Sequence, residues 1–479
     1  MTEPIHFGTD GIRGIAGAHP LSPEAVLAIG RATGNWLRRT HSNPTVLIGR
    51  DTRPSGPQLT HTLLAGLAAE GVTADDVGVI TTPGVAYLTR ALGYSLGIVI
   101  SASHNPADQN GIKLIGADGF KLSDEVEATL EGAIAEALQH NQPVQCFGQI
   151  RQAGQYRDRY LQHLLARHAP DALRGLSVVL DCANGAAYAL APTAFAHLGA
   201  TVTALGASPT GDNINVRSGS EYVRRHRDTL LGMIQASDAD LGVAFDGDAD
   251  RVVFLTRDGA LIDGDHILGL LATHLHRQNA LPGATVVATT MSNSGLAHYL
   301  GQRGITLERT KVGDRYVMER MRQGGFALGG EQAGHIILLD AEHTTGDGLY
   351  IGLLVASLVA QDRTLLERMA ADIPRFPQVI ASAHLSRRVP LEDIQGLQPL
   401  IEETLLAFQQ QGRVEVRYSG TEPNLLRAMV EGGAASTRKE VVERALALCH
   451  LVAAASQTGN PHIDLVDGAT GAKIDPDTL

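Results

Sequence analysis

The fold class is indicated by residues 45–80, whose sequence is TVLIGRDTRPSGPQLTHTLLAGLAAEGVTADDVGVI. TVLIGR (45–50) is a short apolar run typical of a buried strand, residues 56–72 have the apolar spacing of an amphipathic helix, and DVGVI (76–80) predicts a second strand. A strand, a helix and a strand in that order form a parallel βαβ unit. The segment therefore predicts an α/β domain.

The same alternation of strand and helix returns twice along the chain, beginning at LSVVLDCANG (176–185) and at ATVVATT (284–290). After Ile373 the order changes to strand, helix, strand, strand, helix, which is typical of an α+β unit. The sequence thus predicts three consecutive α/β domains with mixed or parallel sheets and a C-terminal α+β domain. The predicted segments are 1–152, 153–257, 258–371, 372–456 and a weakly ordered polar tail, 457–479.

Composition excludes several classes of protein. The 479 residues carry 39 Lys and Arg against 51 Asp and Glu, and the net charge of −12 argues against a nucleic-acid or anionic membrane surface. The three cysteines form no Cys-x-x-Cys pair, which excludes a disulfide framework and a thiolate zinc site. The N-terminus lacks an apolar signal region and no apolar run approaches the length of a membrane span. We expect a cytoplasmic protein without nucleic-acid or membrane partners.

The segment ISASHNPADQNGIK (100–113) carries the first candidate chemistry. It begins where a predicted strand ends, which is where open α/β sheets place their ligands. Ser103 is a candidate nucleophile or phosphate carrier, and Lys113 supplies an amine. By itself the segment is equally compatible with an Asn-Pro turn with capping serines.

The segment FDGDADR (245–251) places Asp246, Asp248 and Asp250 at alternate positions directly after a predicted strand. Three carboxylates at this spacing repel one another unless they share a hard cation, and oxygen ligands favour Mg²⁺ over zinc or copper. An EF-hand calcium loop needs Gly and Glu at positions that Arg251 and Arg257 occupy here. The segment therefore predicts a magnesium site, with a solvated acidic turn as the alternative.

Two further loops are weaker candidates. GGEQAGHI (329–336) offers Glu331 and His335 to sugar hydroxyls, although a glycine-rich turn with a structural histidine is the commoner outcome. RYSGTEPNLLR (417–427) combines a guanidinium, hydroxyls and backbone amides that suit a phosphate, or it is a hairpin with an arginine on its rim. Arg13 lies on a glycine-flanked loop and can place a fixed charge near a phosphate.

Lysine is rare in this chain, with five residues, and two of them fall in candidate site segments. Arg serves as well as Lys on an ordinary surface, but only Lys can give up a proton near neutral pH. Keeping Lys113 and Lys311 is therefore mildly suggestive of function.

Five motifs together resemble the α-D-phosphohexomutase superfamily: FGTDGIRG, SASHNP, DGDADR, GGEQAGH and RYSGTEP occur in the family's order and at about its spacing. The resemblance covers nearly the whole chain. It implies four domains around a central cleft, each contributing a loop. The wording of GDNINVRSGS (211–220), TKVGDRYV (310–317) and HTTGDG (343–348) is most similar to bacterial members that interconvert glucosamine 6-phosphate and glucosamine 1-phosphate.

The resemblance also implies roles for individual residues. Ser103 carries the phosphoryl group, passes it to the sugar to form a 1,6-bisphosphate intermediate and receives the other phosphoryl group back. The implied catalytic residues are Ser103, His104, Lys113, Arg13, Arg251 and His335. The implied metal ligands are Ser103, Asp246, Asp248 and Asp250. The implied substrate-binding residues are Glu331, Lys311, Arg417, Ser419, Gly420 and Thr421.

The expected cofactors are a single Mg²⁺ per chain and a hexose 1,6-bisphosphate as activator, and the expected partner is a small phosphosugar. Either a monomer or a homodimer is compatible with the sequence. Ala333 stands where the family usually has Ser, so phosphomannomutase/phosphoglucomutase activity is the alternative. A non-catalytic phosphosugar-binding protein and a phosphatase are more distant alternatives.

Overall fold

The computed structural model describes residues 3–8, 10–139, 147–409, 411–419, 424–459 and 461–476. It divides into two compact units. The first comprises Met1–Thr290 with Ile305–Ala370, and the second comprises Met291–Gly304 with Ala371–Leu479.

The first sheet of the first unit has six strands in the order β1-β5-β4-β2-β3-β6. Its strands are β1 (Ile12–Ile15), β2 (Thr45–Arg50), β3 (Thr73–Val79), β4 (Leu96–Ile100), β5 (Gln109–Gly116) and β6 (Ile150–Gln152). Its helices are α1 (Pro23–Thr40), α2 (Gly56–Ala69), α3 (Thr82–Ala91) and α4 (Asp124–Gln139). The parallel pairing of β2 with β3 and β4 confirms the predicted α/β pattern.

Strand β5 is the departure from a purely parallel sheet, since it runs antiparallel to both β4 and β1. The connection from β4 to β5 contains no helix and is too short for a parallel crossover, so the chain returns antiparallel. This return brings Lys113 on β5 opposite Val99 on β4. Lys113 thereby lies near the end of β4 from which the Ser103 loop begins.

The second sheet has the order β11-β10-β9-β7-β8, with β7 parallel to β8 and β9 and with β10 antiparallel to β9 and β11. Its strands are β7 (Ser177–Asp181), β8 (Thr201–Leu205), β9 (Leu241–Phe245), β10 (Val252–Thr256) and β11 (Leu261–Ile262). Its helices are α5 (Tyr156–Ala166), α6 (Leu190–His197), α7 (Ser220–Arg225) and α8 (Asp228–Ala236).

The third sheet has the order β13-β12-β14-β15, in which β15 alone is antiparallel to its neighbour. Its strands are β12 (Thr285–Thr289), β13 (Thr306–Thr310), β14 (Leu328–Gly330) and β15 (Ile336–Leu338). The helices of this region are α9 (Gly264–Arg277), α11 (Asp314–Gly324), α12 (Gly348–Gln361) and α13 (Leu365–Asp372).

The second unit contains an antiparallel sheet in the order β17-β18-β16-β19. Its strands are β16 (Gln378–His384), β17 (Arg413–Tyr418), β18 (Leu425–Glu431) and β19 (Ile463–Asp467). Its helices are α10 (Ser294–Gly301), α14 (Leu397–Ala407) and α15 (Arg438–Ala455), of which α15 begins with a capping box between Thr437 and Glu440. The predicted α+β class of this unit is confirmed.

The prediction of a weakly ordered tail over 457–479 is wrong for β19. This strand pairs with β16 over five positions, from Ile463 to Asp467, and Leu465 is buried. The prediction failed because the short apolar pattern Ile-Asp-Leu-Val-Asp lies within a polar segment. In the structure, the backbone of this strand pairs with the edge of β16. The predicted domain boundaries stay predictions.

Across the part of the chain that the structure describes, no single helix has the length and apolar character needed to cross a membrane. The pair α12 and α13 meets the criterion only when taken together, and it is bent by 104° at its break.

Candidate functional site

Ser103 lies in the loop that follows β4, and its side chain is directed at the acidic loop that follows β9. Its Oγ donates to Oδ2 of Asp246 at 2.5 Å and lies 3.3 Å from Nδ1 of His104. The residue is fully buried and has a φ of +54°, a left-handed conformation that side chains other than Gly adopt at a cost. A strained residue holding a hydroxyl against a carboxylate supports the prediction that Ser103 is the reacting group.

Asp246, Asp248 and Asp250 are brought together at the turn between β9 and β10. Their ligand oxygens lie within 4.8 Å of one another, and all three residues are buried. Burial raises the pKa of Asp246 well above its usual value, and repulsion from Asp250 and Asp248 raises it further. Burial has the same effect on Asp250, but His335 and Lys113 outweigh it and hold the pKa of Asp250 below its usual value.

The carboxylate cluster fits a hard divalent cation. Among the described residues, Oδ1 of Asp248 and Oδ1 of Asp250 are buried and have no hydrogen-bond partner. Burying carboxylate oxygens without partners is costly, and a cation coordinated by oxygen removes that cost. Asp246, Asp248 and Asp250 therefore qualify as metal ligands, with Ser103 beside Asp246 as a fourth oxygen.

Lys113 compensates part of this negative charge from β5. Its Nζ lies 2.8 Å from Oδ2 of Asp248, 2.9 Å from Oδ2 of Asp10 and 3.8 Å from Oδ2 of Asp250. Burial lowers the pKa of the amine, but Asp10, Asp248 and Asp250 outweigh burial and raise it above its usual value. Lys113 thus carries its proton at neutral pH in this arrangement, whereas the sequence predicted an amine that titrates near neutrality.

His335 lies between the metal loop and helix α11. Its Nδ1 is 3.6 Å from Oδ2 of Asp250 and its Nε2 is 3.7 Å from Oδ2 of Asp314. Burial lowers its pKa, but Asp250 and Asp314 outweigh burial and raise the pKa to about 9. Nε2 is buried without a hydrogen-bond partner among the described residues, so it is available to a bound hydroxyl. A Cβ at position 346 would come within 2.5 Å of the imidazole, so any residue larger than Gly346 would clash with the ring in its present position.

The loop that carries Glu331 joins the metal loop through the main chain. The amide of Val252 donates to the carbonyl of Gly334 at 3.0 Å, and Arg251 forms an isolated β-bridge with His335. Oε1 of Glu331 accepts from the amide of Gly313 at 3.2 Å, and burial raises the pKa of this carboxyl. The structure thus brings the predicted sugar loop against the predicted metal loop.

Arg251 contacts Asp246, and His104 contacts Ser103. The amide of Arg251 donates to Oδ1 of Asp246 at 3.1 Å, and its Nη1 lies 2.5 Å from Nδ1 of His104. Burial and the charge of Arg251 lower the pKa of His104 to about 3, so its ring is neutral and accepts from the guanidinium. Arg13 forms an ion pair with Asp10, which also pairs with Lys113.

Of the predicted residues still to be placed, Lys311 belongs to the first unit. Lys311 is exposed just beyond β13, with its Nζ 6.0 Å from the ring centroid of Tyr316. Arg417 and Ser419 belong to the second unit, where Nε of Arg417 lies 3.2 Å from Oε1 of Glu415. Gly420 and Thr421 lie outside the described residues.

Three residues that sequence reasoning missed connect the cluster to helix α11. Nζ of Lys121 lies 2.6 Å from Oδ1 of Asp10 and 2.6 Å from Oδ2 of Asp314, which in turn neighbours His335. Signals for all three were present, because Asp10 lies in FGTDGIRG, Asp314 lies in TKVGDRYV and Lys121 is one of only five lysines. Their pairing requires residues more than 100 positions apart to meet, which no local pattern indicates.

A cavity of about 610 Å³ opens beside this network. Lys121, Asp314 and His335 line its polar side, and Phe120 and Met318 contribute apolar surface. The cavity has the size of a small-molecule site and shares His335 with the carboxylate cluster. The candidate site therefore combines a buried reacting centre with an adjoining space for a ligand.

Comparison with known families supports this arrangement. Residues 4–141, 158–259 and 263–376 match the descriptions "Phosphoglucomutase/phosphomannomutase, alpha/beta/alpha domain I", "domain II" and "domain III". The crystal structure of a phosphoglucomutase/phosphomannomutase family protein from Burkholderia thailandensis is similar, with a TM-score of 0.77 and 25% identity, and the match covers 95% of this chain and 98% of that one.

Curated relatives extend the similarity at the level of sequence. The phosphoglucosamine mutase of Symbiobacterium thermophilum is 45% identical over 90% of this chain and 95% of its own. That of Sphingopyxis alaskensis is 45% identical over 94% of this chain and 99% of its own. Together with the buried serine, the aspartate triad and the order of the five motifs, these matches show that the chain belongs to the phosphoglucomutase/phosphomannomutase family of the α-D-phosphohexomutase superfamily.

Proposed function

We propose that this enzyme, an intramolecular phosphotransferase, interconverts glucosamine 6-phosphate and glucosamine 1-phosphate, the reaction of a phosphoglucosamine mutase. The observation that carries the proposal is Ser103, whose hydroxyl is held 2.5 Å from Asp246 in a buried cluster of three aspartates. The identity of 45% to phosphoglucosamine mutases over at least nine-tenths of the chain favours the amino sugar as substrate.

The proposed reaction has two phosphoryl transfers. Phosphorylated Ser103 gives its phosphoryl group to the free hydroxyl of the hexosamine phosphate, so the bond from Oγ to phosphorus breaks and a bond to the sugar oxygen forms. The resulting 1,6-bisphosphate reorients in the site. Oγ then attacks its other phosphoryl group, so the bond from that phosphorus to the sugar oxygen breaks and the bond to Oγ forms again. A proton leaves the attacking hydroxyl in each transfer and returns to the leaving oxygen.

His335 is the first candidate for handling that proton. Its Nε2 is buried, lacks a hydrogen-bond partner among the described residues and borders the ligand cavity. A pKa of about 9 favours the protonated ring, which suits donation to a sugar oxygen that loses its phosphoryl group. Lys113, which also holds a proton against Asp248, is the second candidate.

Asp246, Asp248 and Asp250, with an oxygen of the phosphorylated Ser103, would hold Mg²⁺. The ion supplies positive charge to the transferring phosphoryl group. Arg251 and Arg13 add fixed positive charge around Ser103, and neutral His104 orients Arg251. A hexose 1,6-bisphosphate would serve as activator, because loss of the intermediate leaves Ser103 without its phosphoryl group.

Six residues are assigned to substrate binding in this proposal. Glu331 accepts hydrogen bonds from sugar hydroxyls, and Lys311 adds a charge near them. In the second unit, a phosphate of the substrate binds to Arg417, Ser419, Gly420 and Thr421. Burial lowers the pKa of Arg417, Glu415 opposes this in part, and Arg427 lowers the pKa further, so a bound anion would stabilise the charged guanidinium. A cytoplasmic location and a monomeric or homodimeric state stay predictions.

The test combines mass spectrometry of the purified protein with assays of three substrates. We expect a phosphate on Ser103 and conversion of glucosamine 6-phosphate that requires Mg²⁺ and is stimulated by a trace of the 1,6-bisphosphate. A preference of tenfold or more for glucose or mannose phosphates would instead establish the phosphoglucomutase/phosphomannomutase alternative and point to Ala333. Free phosphate released faster than the isomer would indicate a phosphatase, and metal-dependent binding without turnover would indicate a binding protein.

A further inference from the structure

The backbone carbonyl of Ser103 accepts hydrogen bonds from side chains of two other segments. Nη2 of Arg53 and Nδ2 of Asn215 both donate to this oxygen, each at 2.9 Å. A Cβ at Gly247 would lie 2.4 Å from the same oxygen, so glycine at this position leaves room for the carbonyl. The carbonyl thus has two donors and a space shaped for it, and its orientation corresponds to the left-handed φ of +54° at Ser103.

Arg53 and Asn215, the two donors to this carbonyl, are called the clamp below. Arg53 is its first residue. Its side chain is fully buried, and its Nε donates to Oδ2 of Asp51 at 2.9 Å. Its two terminal nitrogens donate to four backbone carbonyls of the Ser103 loop, those of Ser103, Asn105, Pro106 and Gln109. A planar guanidinium donates in several fixed directions at once, which the ammonium of a lysine cannot reproduce.

Asn215 is the second residue that holds this loop, and it belongs to a different segment of the chain. It lies between β8 and α7, on the segment that carries GDNINVRSGS, and it also has a left-handed φ of +59°. Its backbone N–H donates to the carbonyl of Ala183 at 2.8 Å, which anchors the residue just beyond the end of β7. Its Nδ2 donates to the carbonyls of Ser103 and Asn105, the second at 3.1 Å.

We propose that Arg53 and Asn215 are positioning residues that keep Ser103 in its left-handed conformation, so that Oγ points at the metal-binding aspartates. This inference rests on the proposed function, because it assigns these residues to the same phosphoryl transfer. A left-handed residue other than glycine persists only where its surroundings enforce it. Phosphoryl transfer depends on alignment, and a small displacement of a reacting group lowers the rate strongly.

The inference predicts a specific kinetic pattern. Neither Arg53 nor Asn215 is proposed to contact the sugar, so their removal lowers the rate of transfer and leaves substrate affinity nearly unchanged. For Asn215→Ala we expect the single-turnover rate of transfer from phosphorylated Ser103 to fall about tenfold, with KM changed by less than about twofold. Arg53→Lys, which loses most of the four carbonyl contacts, should lower the rate by at least as much.

Asn213 provides a matched control in the same loop. Among the described residues, the partners of its side chain lie within that loop: Nδ2 donates to the carbonyl of Ser208 at 3.0 Å, and Oδ1 accepts from the backbone amide of Thr210 at 2.9 Å. Asn213→Ala should therefore retain the transfer rate of the unchanged enzyme. All variants are compared well below their thermal midpoints, and the ³¹P resonance of phosphorylated Ser103 is recorded for each.

Support for the clamp is a slower transfer and a shifted ³¹P resonance in Asn215→Ala but not in Asn213→Ala. Equal transfer rates in the two alanine variants would overturn it, and so would a rise in KM that accounts for the whole loss. If the unsubstituted enzyme carries no phosphate on Ser103, or shows no turnover, that result would refute the proposed function instead. The two failures are therefore distinguishable.

Discussion

Two charged regions of this molecule differ in how their charge is balanced. Around Lys113 in the first unit, an ammonium 2% exposed lies within 4 Å of three carboxylates. Around Arg417 in the second unit, a guanidinium that is one-third exposed lies near the carboxylate of Glu415 and near the like charge of Arg427. The pKa of the first cation is raised and that of the second is lowered.

The difference indicates that the first region acts in the reaction and the second in binding. The first region is organised before any substrate arrives, because its groups already hold one another in place inside a buried site. In the second region, burial lowers the pKa of Arg417 despite the opposing effect of Glu415, so an anionic ligand would stabilise a cation that burial disfavours. We therefore expect substitutions in the first region to act on the rate of reaction and substitutions in the second to act on affinity.

The largest effect is expected for Ser103→Ala. Removing Oγ removes the group that carries the phosphoryl group, and turnover should fall by about 1000-fold or more. Intact mass should show no phosphate on the variant, while the exposed Ser42→Ala variant should behave like the unchanged enzyme. A variant that keeps a tenth of the activity would place the reacting group elsewhere.

The next largest effect is expected for Asp248→Asn. Asp248 accepts from Thr82 at 2.6 Å and from Lys113 at 2.8 Å, and its other oxygen has no partner among the described residues. Losing this carboxylate should weaken Mn²⁺ or Mg²⁺ binding in calorimetry and reduce kcat about 100-fold. Chelation should abolish activity reversibly in the unchanged enzyme. The matched substitution of exposed Asp238, which pairs with Arg257, should leave both properties intact.

A smaller effect, of the opposite kind, is expected for Arg417→Met. Losing a charged hydrogen-bond donor to a phosphate should raise KM about tenfold and change kcat by less than about threefold. Arg438→Met is the control, because this exposed arginine pairs with Asp467 on β19 of the same unit. A loss in kcat alone would contradict the assignment of this region to affinity.

The smallest effect concerns pH and the first region. The pKa of His335 is raised to about 9 from 6.5, so its contribution to stability is complete below pH 6.5 and declines as the pH rises to 9. Each pH unit within that range should remove up to about 1.4 kcal/mol of unfolding free energy from the metal-free protein. Urea unfolding of His335→Gln should show a weaker decline over the same range. Identical slopes would mean that the imidazole gains no charge stabilisation from Asp250 and Asp314.

Local patterns were sufficient for much of the fold and for the reacting groups. TVLIGR and LGVAF are apolar enough to identify β2 and β9. In DGDADR, the alternate spacing of three aspartates is enough to predict a cation site. Strand β19 was missed because its alternation is only five residues long within a polar segment. Its order comes from pairing with β16, which lies about 80 positions earlier in the chain.

The sequence by itself determined the alternation of strands and helices, the residue types of the site and, through five ordered motifs, the family. The tertiary structure alone decided how those residues act on one another. Lys113 holds its proton because Asp10, Asp248 and Asp250 surround it, and Ser103 keeps a left-handed backbone because Arg53 and Asn215 reach it from distant segments. Burial, ion pairing and backbone orientation depend on three-dimensional neighbours, and neighbours 50 or more positions apart leave no local pattern in a single sequence.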